Sequence, residues 1–228
     1  MGTNINNYFG YLLIMKREKF LIFENINRIH EISDVNPVSG KHLVVVDIQP
    51  EYESYIGFIP SFVGFLNENY DSLSNLTFLY NGNDTLGMIE EYDYKMWWLD
   101  HGLDEHIVDS AKFYDKGYAF FRYCMDSDVD EEDTTELVRY MIEKGVNDSR
   151  DLDEEFWNEF VERFGKENVR ELLEFSGDCI NIPDLMSELE DYRDVVLCGG
   201  GIKECLKEVE ISLNALGTPF TVLTKYTY

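Results

Sequence analysis

The chain has 228 residues, which is enough for one large α/β domain with a complete hydrophobic core. Hydrophobic residues make up 44% and aromatic residues 14%, a proportion that excludes a disordered chain. The formal net charge of -26 argues against nucleic acid as a partner, because binding to phosphates depends on basic side chains.

The residue pattern in the N-terminal part of the chain predicts β-strands. Residues 8–15 and 19–32 are rich in β-branched and aromatic residues and predict a β-hairpin, so we expect residues 1–40 to form an N-terminal β extension. Residues 43–46 are aliphatic and end in Asp47. Such a run is typical of a central parallel strand that brings a side chain to the carboxyl edge of the sheet, where ligands bind. The alternative is that Asp47 is a loop acid that caps the next helix.

The following elements predict βα units. Residues 59–69 are apolar at helical spacing and residues 76–80 form an apolar strand. Residues 88–99 are aromatic and acidic and predict a helix over the site. Residues 108–114 predict a strand, and Lys116 follows it. Lys116 is a candidate for the same sheet edge as Asp47, although an isolated lysine is more often a surface residue.

Residues 131–192 are acidic and mostly helical, and we expect them to form a helical insertion. Predicted helices cover residues 136–144, 152–164, 167–175 and 183–192. No linker or repeat divides the chain, so the sequence predicts a single domain over residues 1–228.

The C-terminal part is the most informative. Residues 195–198 predict a buried strand, three glycines follow, and Leu206, Val209 and Leu213 recur at helical spacing. Cys205 lies where this helix begins, and the unpaired N–H groups of a helix start can lower a thiol pKa. Cys205 is therefore a candidate nucleophile, and the alternative is a small buried apolar residue.

These elements together predict a Rossmann-like α/β fold. It would have three layers, α/β/α, with a mostly parallel sheet in the centre. The four cysteines contain no Cys-x-x-Cys pair, which indicates a reducing compartment. No apolar segment approaches the ~20 residues that span a bilayer. We expect a cytoplasmic protein with no membrane partner.

One group of residues raises the question of a metal. Asp100, His101, Asp104 and His106 lie close together in the sequence, but their spacing lacks the pattern of a familiar site. We expect neither a metal nor another cofactor.

The order of Asp47, Lys116 and Cys205, each after a predicted strand, resembles the isochorismatase-like cysteine hydrolases, the superfamily of nicotinamidases and N-carbamoyl amidohydrolases. The matching segments are residues 44–49, residues 116–120, and the turn and helix around Cys205. As in the family, a glycine lies six positions before the cysteine, at 199, and another lies twelve positions after it, at 217.

The resemblance implies a catalytic triad of Asp47, Lys116 and Cys205 that cleaves an amide-type C–N bond of a small molecule through a thioester. It also implies an oxyanion hole of the Gly201 and Cys205 backbone N–H groups. Aromatic residues suggest where a planar or apolar substrate would bind, namely Tyr52, Trp97, Tyr118 and Phe120. We also expect a homo-oligomer.

The chain departs from the family in several places. Ile202 stands where the family has Thr, and the cis peptide usual there would fall at Gly200-Gly201. The Asp-x-His motif of nicotinamidases is missing after residue 80, which excludes nicotinamidase as the expected activity. The helical insertion exceeds that of most members.

Two other functions remain open. A catalytically inactive relative would bind a small molecule or a protein, and Ile202 and the insertion favour this alternative. A nucleotide-binding Rossmann domain is the other, but Gly-x-Gly-x-x-Gly is absent.

Overall fold

The structure is a computed structural model that describes residues 37–84, 87–116, 154–165, 182–202 and 204–228, with isolated positions between 132 and 143. The predicted N-terminal hairpin and the predicted helix over residues 167–175 lie outside the described residues. So do Tyr118 and Phe120.

A five-stranded parallel sheet forms the centre of the fold, as the sequence predicts. Its strands are β1 (His42–Val46), β2 (Asn75–Tyr80), β5 (Lys112–Asp115), β6 (Val195–Gly199) and β7 (Phe220–Val222). They are arranged in the order β5-β2-β1-β6-β7, and every pair is parallel. Two short antiparallel strands, β3 (Asn83–Asp84) and β4 (Gly87–Met88), form a separate pair.

Helices cover both faces of this sheet. They are α1 (Ile59–Asn69), α2 (Glu91–Asp100), α3 (Glu105–Ser110), α4 (Glu154–Phe164), α5 (Ile182–Leu189) and α6 (Cys205–Leu216). Because side chains alternate along a strand, Val44 and Val46 of β1 pack in the cluster that includes α5 and α6. Leu43 and Val45 pack in the opposite cluster, with α1, α2 and α3. The fold is therefore a three-layer α/β/α sandwich.

The sequence prediction of a strand over residues 108–114 was confirmed for residues 112–114 and wrong for residues 108–110. These residues include the end of helix α3 and most of strand β5, with Ala111 between them. The helix forms because Ile107 and Val108 turn into the core beside α1 and α2, and this packing outweighs the strand preference of β-branched residues. The shorter strand still ends immediately before Lys116.

The predicted helical insertion is described only in part. Helices α4 and α5 and the isolated helical positions between 132 and 143 lie within residues 131–192. In the part of the chain that the structure describes, no helix has both the length and the apolar character that a bilayer crossing requires.

Candidate functional site

The carboxyl edge of the sheet brings together the three residues predicted as a triad. Asp47 follows β1 directly, and its N–H still donates to Leu79 O of β2 at 2.9 Å. Lys116 follows β5, and its N–H donates to Tyr80 O at 2.8 Å. Cys205 is the first residue of α6, the helix after β6. The chain reverses its direction across the sheet between β1 and β6, and such switch points are where open α/β sheets bind ligands.

The ammonium of Lys116 lies between two buried carboxylates. Lys116 Nζ is 2.9 Å from Asp47 Oδ2 and 3.2 Å from Glu208 Oε2, and the three side chains are 2%, 1% and 3% exposed. Burial alone would lower the pKa of Lys116, but the charges of Asp47 and Glu208 outweigh it and hold that pKa well above its ordinary value. Lys116 is therefore a permanent cation. We call Asp47, Lys116 and Glu208 the ionic cluster.

The two carboxylates contact the lysine in different ways. Lys116 Nζ donates a hydrogen bond to Glu208 Oε2. Neither oxygen of Asp47 accepts a hydrogen bond of good geometry from the described residues, although one lies within ion-pair distance of Lys116. The buried Asp47 carboxylate is therefore held mainly by the charge of Lys116 and lies next to the Cys205 thiol.

The Cys205 thiol is half-buried beside this cluster. Burial raises the pKa of the Cys205 thiol far above its ordinary value, the charges of Asp47 and Glu208 raise it further, and Lys116 acts in the opposite direction. The sequence-based expectation of a lowered thiol pKa is therefore wrong for the resting site. One cation and a helix start do not offset burial and two carboxylates.

The glycine turn between β6 and α6 permits close backbone packing. Gly199 and Gly200 have φ values of 82° and 56°, which favour glycine. A Cβ on Gly199 would collide with Val46 O of β1, and a Cβ on Gly200 would collide with Leu206 N. The cis peptide that the resemblance implies is not found, since the described residues contain none.

The predicted oxyanion-hole donors lie in this turn. Among the described residues, neither Gly201 N–H nor Cys205 N–H donates to a backbone carbonyl, whereas Gly201 O accepts from Glu204 N and Leu206 N. Both N–H groups are thus available to a ligand oxygen. Ile202, in the family's Thr position, is half exposed.

Tyr228 connects the two sides of the site. Its hydroxyl donates to Asp47 O at 2.9 Å, its N–H donates to Gly200 O, and its carbonyl accepts from Ile202 N. Burial, and then the charges of Asp47 and Cys205, raise the pKa of the Tyr228 phenol. The residue after β1 and the turn after β6 are therefore held together by one side chain and its backbone.

Polar contacts also fix the neighbouring loops. The fully buried Gln49 accepts from Asn81 N at 3.0 Å through Oε1, and Asp115 Oδ1 accepts from Gly82 N at 2.9 Å. A Cβ on Gly82 would collide with the Asp115 carboxylate. The loop after β2 is thus tied to the loop after β1 and to the end of β5.

The predicted aromatic residues have different positions. Tyr52 lies near the site, since its ring centroid is 6.3 Å from that of Tyr228. Trp97 donates to Glu53 Oε2 at 3.1 Å and packs on His101, and no contact between Trp97 and the ionic cluster is seen among the described residues. The prediction of Trp97 as a substrate contact therefore has no support from its position.

The two histidines considered as metal ligands, His101 and His106, contact different neighbours. His101 Nε2 is 3.3 Å from Glu53 Oε1, whereas His106 packs edge-on against Tyr70. Within the described ranges, no group of three or more His, Cys, Asp or Glu side chains is arranged to hold a metal ion.

Two residues of the site were not predicted from the sequence. Glu208 lies three positions after Cys205, a helical spacing that places both on one side of α6, and this spacing was the available signal. Tyr228 has no such signal, because it reaches Asp47 from a position 181 residues away in the chain.

The chain was compared with protein-family models, with curated proteins and with solved structures, and none of these comparisons found a match.

Proposed function

We propose that the protein is a cysteine-dependent hydrolase that cleaves an amide-type C–N bond of a small molecule, as its resemblance to the isochorismatase-like cysteine hydrolases suggests. The observation that carries the proposal is the buried pairing of Asp47 with Lys116 beside the Cys205 thiol. Buried ionisable groups with shifted pKa values that gather at one sheet edge are typical of catalytic sites.

In the proposed reaction, Cys205 Sγ attacks the substrate carbonyl carbon while the thiol proton passes to Asp47. Asp47 then gives this proton to the leaving nitrogen, the C–N bond breaks, and a thioester remains. Water attacks the thioester, with Asp47 again as the base, and releases the carboxylic acid and the thiol. Lys116 stays charged throughout and holds the Asp47 carboxylate in place.

The electrostatics of the site fit proton transfer during the attack. Burial and two carboxylates raise the thiol pKa, so the resting nucleophile is the protonated thiol. Asp47 interacts with the Cys205 thiol and with Lys116, which places its carboxylate to accept the thiol proton. The N–H groups of Gly201 and Cys205 would stabilise the oxyanion, and the loss of one such donor typically costs about 10²–10³-fold in rate.

The proposed substrate is small and has a planar or apolar group, for which Tyr52 and Tyr228 offer ring surface near the thiol. Contacts from Tyr118 and Phe120 remain predictions. A cytoplasmic location is also a prediction. So are a homo-oligomer, which sedimentation can test, and chemistry without a metal, which an assay in EDTA can test.

The test is hydrolysis of a mixed library of small amides, with mass spectrometry of the protein to detect an acyl adduct on Cys205. We expect Cys205→Ser and Asp47→Asn each to lower turnover by about 10³-fold or more. Asp47→Asn should leave the melting temperature nearly unchanged, because Lys116 keeps Glu208 as its partner. Cys198→Ala is the matched control, since Cys198 is buried within β6.

Full turnover in both Cys205→Ser and Asp47→Asn would contradict the proposal.

A second candidate function is a binding module without catalysis. The raised pKa of the Cys205 thiol and the exposed Ile202 in the family's Thr position favour it. Binding of a library compound without turnover, unchanged in Cys205→Ser, would support this second function.

A further inference from the structure

Glu208 is placed beside the nucleophile by the helix that begins with it. Cys205 is the first residue of α6, and Glu208 lies almost one turn later, where an (i, i+3) pair shares one side of the helix. Glu208 is 2% exposed, although glutamate is almost never fully buried unless it is paired. Its partner is Lys116 Nζ, 3.2 Å away.

Glu208 changes the charge balance of the site. Lys116 with Asp47 alone would form a neutral pair, whereas the ionic cluster has one cation and two carboxylates, all buried. A thiol beside this cluster therefore meets a net negative charge. Loss of its proton would add a second negative charge in a region that water does not screen.

The two carboxylates are also not equivalent. Glu208 accepts the hydrogen bond from Lys116, and the Asp47 oxygens accept none of good geometry among the described residues. Asp47 also interacts with the Cys205 thiol, whereas Glu208 has Lys116 as its partner. Glu208 thus helps to orient the ammonium that Asp47, the proposed proton acceptor, also contacts.

We propose that Glu208 is a positioning residue of this site, which orients Lys116 and keeps the Cys205 thiol protonated until a substrate is bound. This inference deepens the proposed hydrolase function, and the role of Glu208 in catalysis rests on that proposal. A thiol kept in this form resists alkylation and oxidation at neutral pH, because the thiolate is the reactive species.

The test measures the rate of alkylation of Cys205 by iodoacetamide between pH 6 and pH 10, with peptide mass spectrometry as the readout. We expect Glu208→Gln to raise the alkylation rate by about tenfold or more at each pH in this range, because one of the two negative charges beside the thiol is removed and the thiolate fraction rises. Glu208→Asp should stay near the wild-type rate, because it keeps the charge.

Glu210→Gln is the matched control, since Glu210 lies on the same helix and pairs with Lys207 instead of Lys116. Its alkylation profile should match the wild type. If Glu208→Gln does not fold, Glu208→Leu removes the same charge with an apolar side chain of similar volume.

An unchanged alkylation rate across this pH range on removal of the Glu208 charge would overturn the inference. An equal rise in rate in Glu210→Gln would also overturn it, because the effect would then be one of total protein charge. The experiment uses no substrate, so its result is independent of whether hydrolase activity is found.

Discussion

Replacement of Lys116 by methionine tests whether its positive charge compensates the two buried carboxylates of the ionic cluster. Lys116 Nζ lies 2.9 Å and 3.2 Å from the carboxylates of Asp47 and Glu208. At an effective dielectric constant of about 20, each such contact is worth about 5 kcal/mol before the cost of desolvation. Removal of one partner from a buried ion pair typically costs about 3–5 kcal/mol, and we expect Lys116→Met to lose this much free energy of unfolding.

Urea denaturation followed by circular dichroism and tryptophan fluorescence measures the loss. Lys112→Met is the control, because Lys112 begins β5, the strand that Lys116 follows, pairs with Glu188 and is 54% exposed. Its loss should stay below about 1 kcal/mol. The double variant Lys116→Met with Glu208→Gln should recover much of the stability, since only one buried carboxylate remains.

A loss in Lys116→Met no larger than that in Lys112→Met would refute the reasoning. The cation would then not be the partner that makes burial of the two carboxylates possible.

Two further predictions concern other groups. Burial lowers the pKa of His42 to about 4, so His42 is neutral at pH 7 in the folded state. The unfolded chain binds this proton at a higher pH than the folded chain does, so His42 should lower the free energy of unfolding by about 3 kcal/mol as the pH falls from 7 to 4. His42→Gln, which can keep the hydrogen bond to Thr77, should show a smaller pH dependence in urea denaturation, and an unchanged dependence would contradict the assignment. Limiting iodoacetamide should modify Cys205 before Cys198, because Cys198 is fully buried within β6 whereas Cys205 is only half-buried, and earlier labelling of Cys198 would be the contrary result.

The sheet could be predicted because its strands are strongly apolar. The predicted strand over residues 43–46 differs from β1 by one residue, and that over 195–198 differs from β6 by one residue. The predicted helix over residues 59–69 has the bounds of α1. In these segments the apolar residues of the sequence pattern are also the residues that pack in the core, so local pattern and tertiary packing agree.

Residues 108–114 could not be predicted in the same way, because a short apolar run fits a helix and a strand equally well. At the site, the pattern indicated Asp47, Lys116 and Cys205, which follow or begin regular elements. The pattern did not indicate the raised thiol pKa, because that depends first on the burial of Cys205 and then on carboxylates, Asp47 and Glu208, which approach it only in the folded protein. The charges around Cys205 come from residues far apart in the sequence, so their balance can be read only from the folded structure.

The pairing of β1 with β6 has a consequence for how the chain folds. Lys41 and Asp194, which flank these strands, form an ion pair although 153 positions separate them in the sequence. Closing so long a loop costs chain entropy before the paired strands contribute stability, and long-range parallel pairing is slow for this reason. A growing chain that has formed β1, β2 and β5 already carries Asp47 and Lys116 but lacks the strand and helix that bring Cys205 and Glu208. The complete site therefore requires β6 and α6, and no N-terminal fragment that stops before β6 contains it.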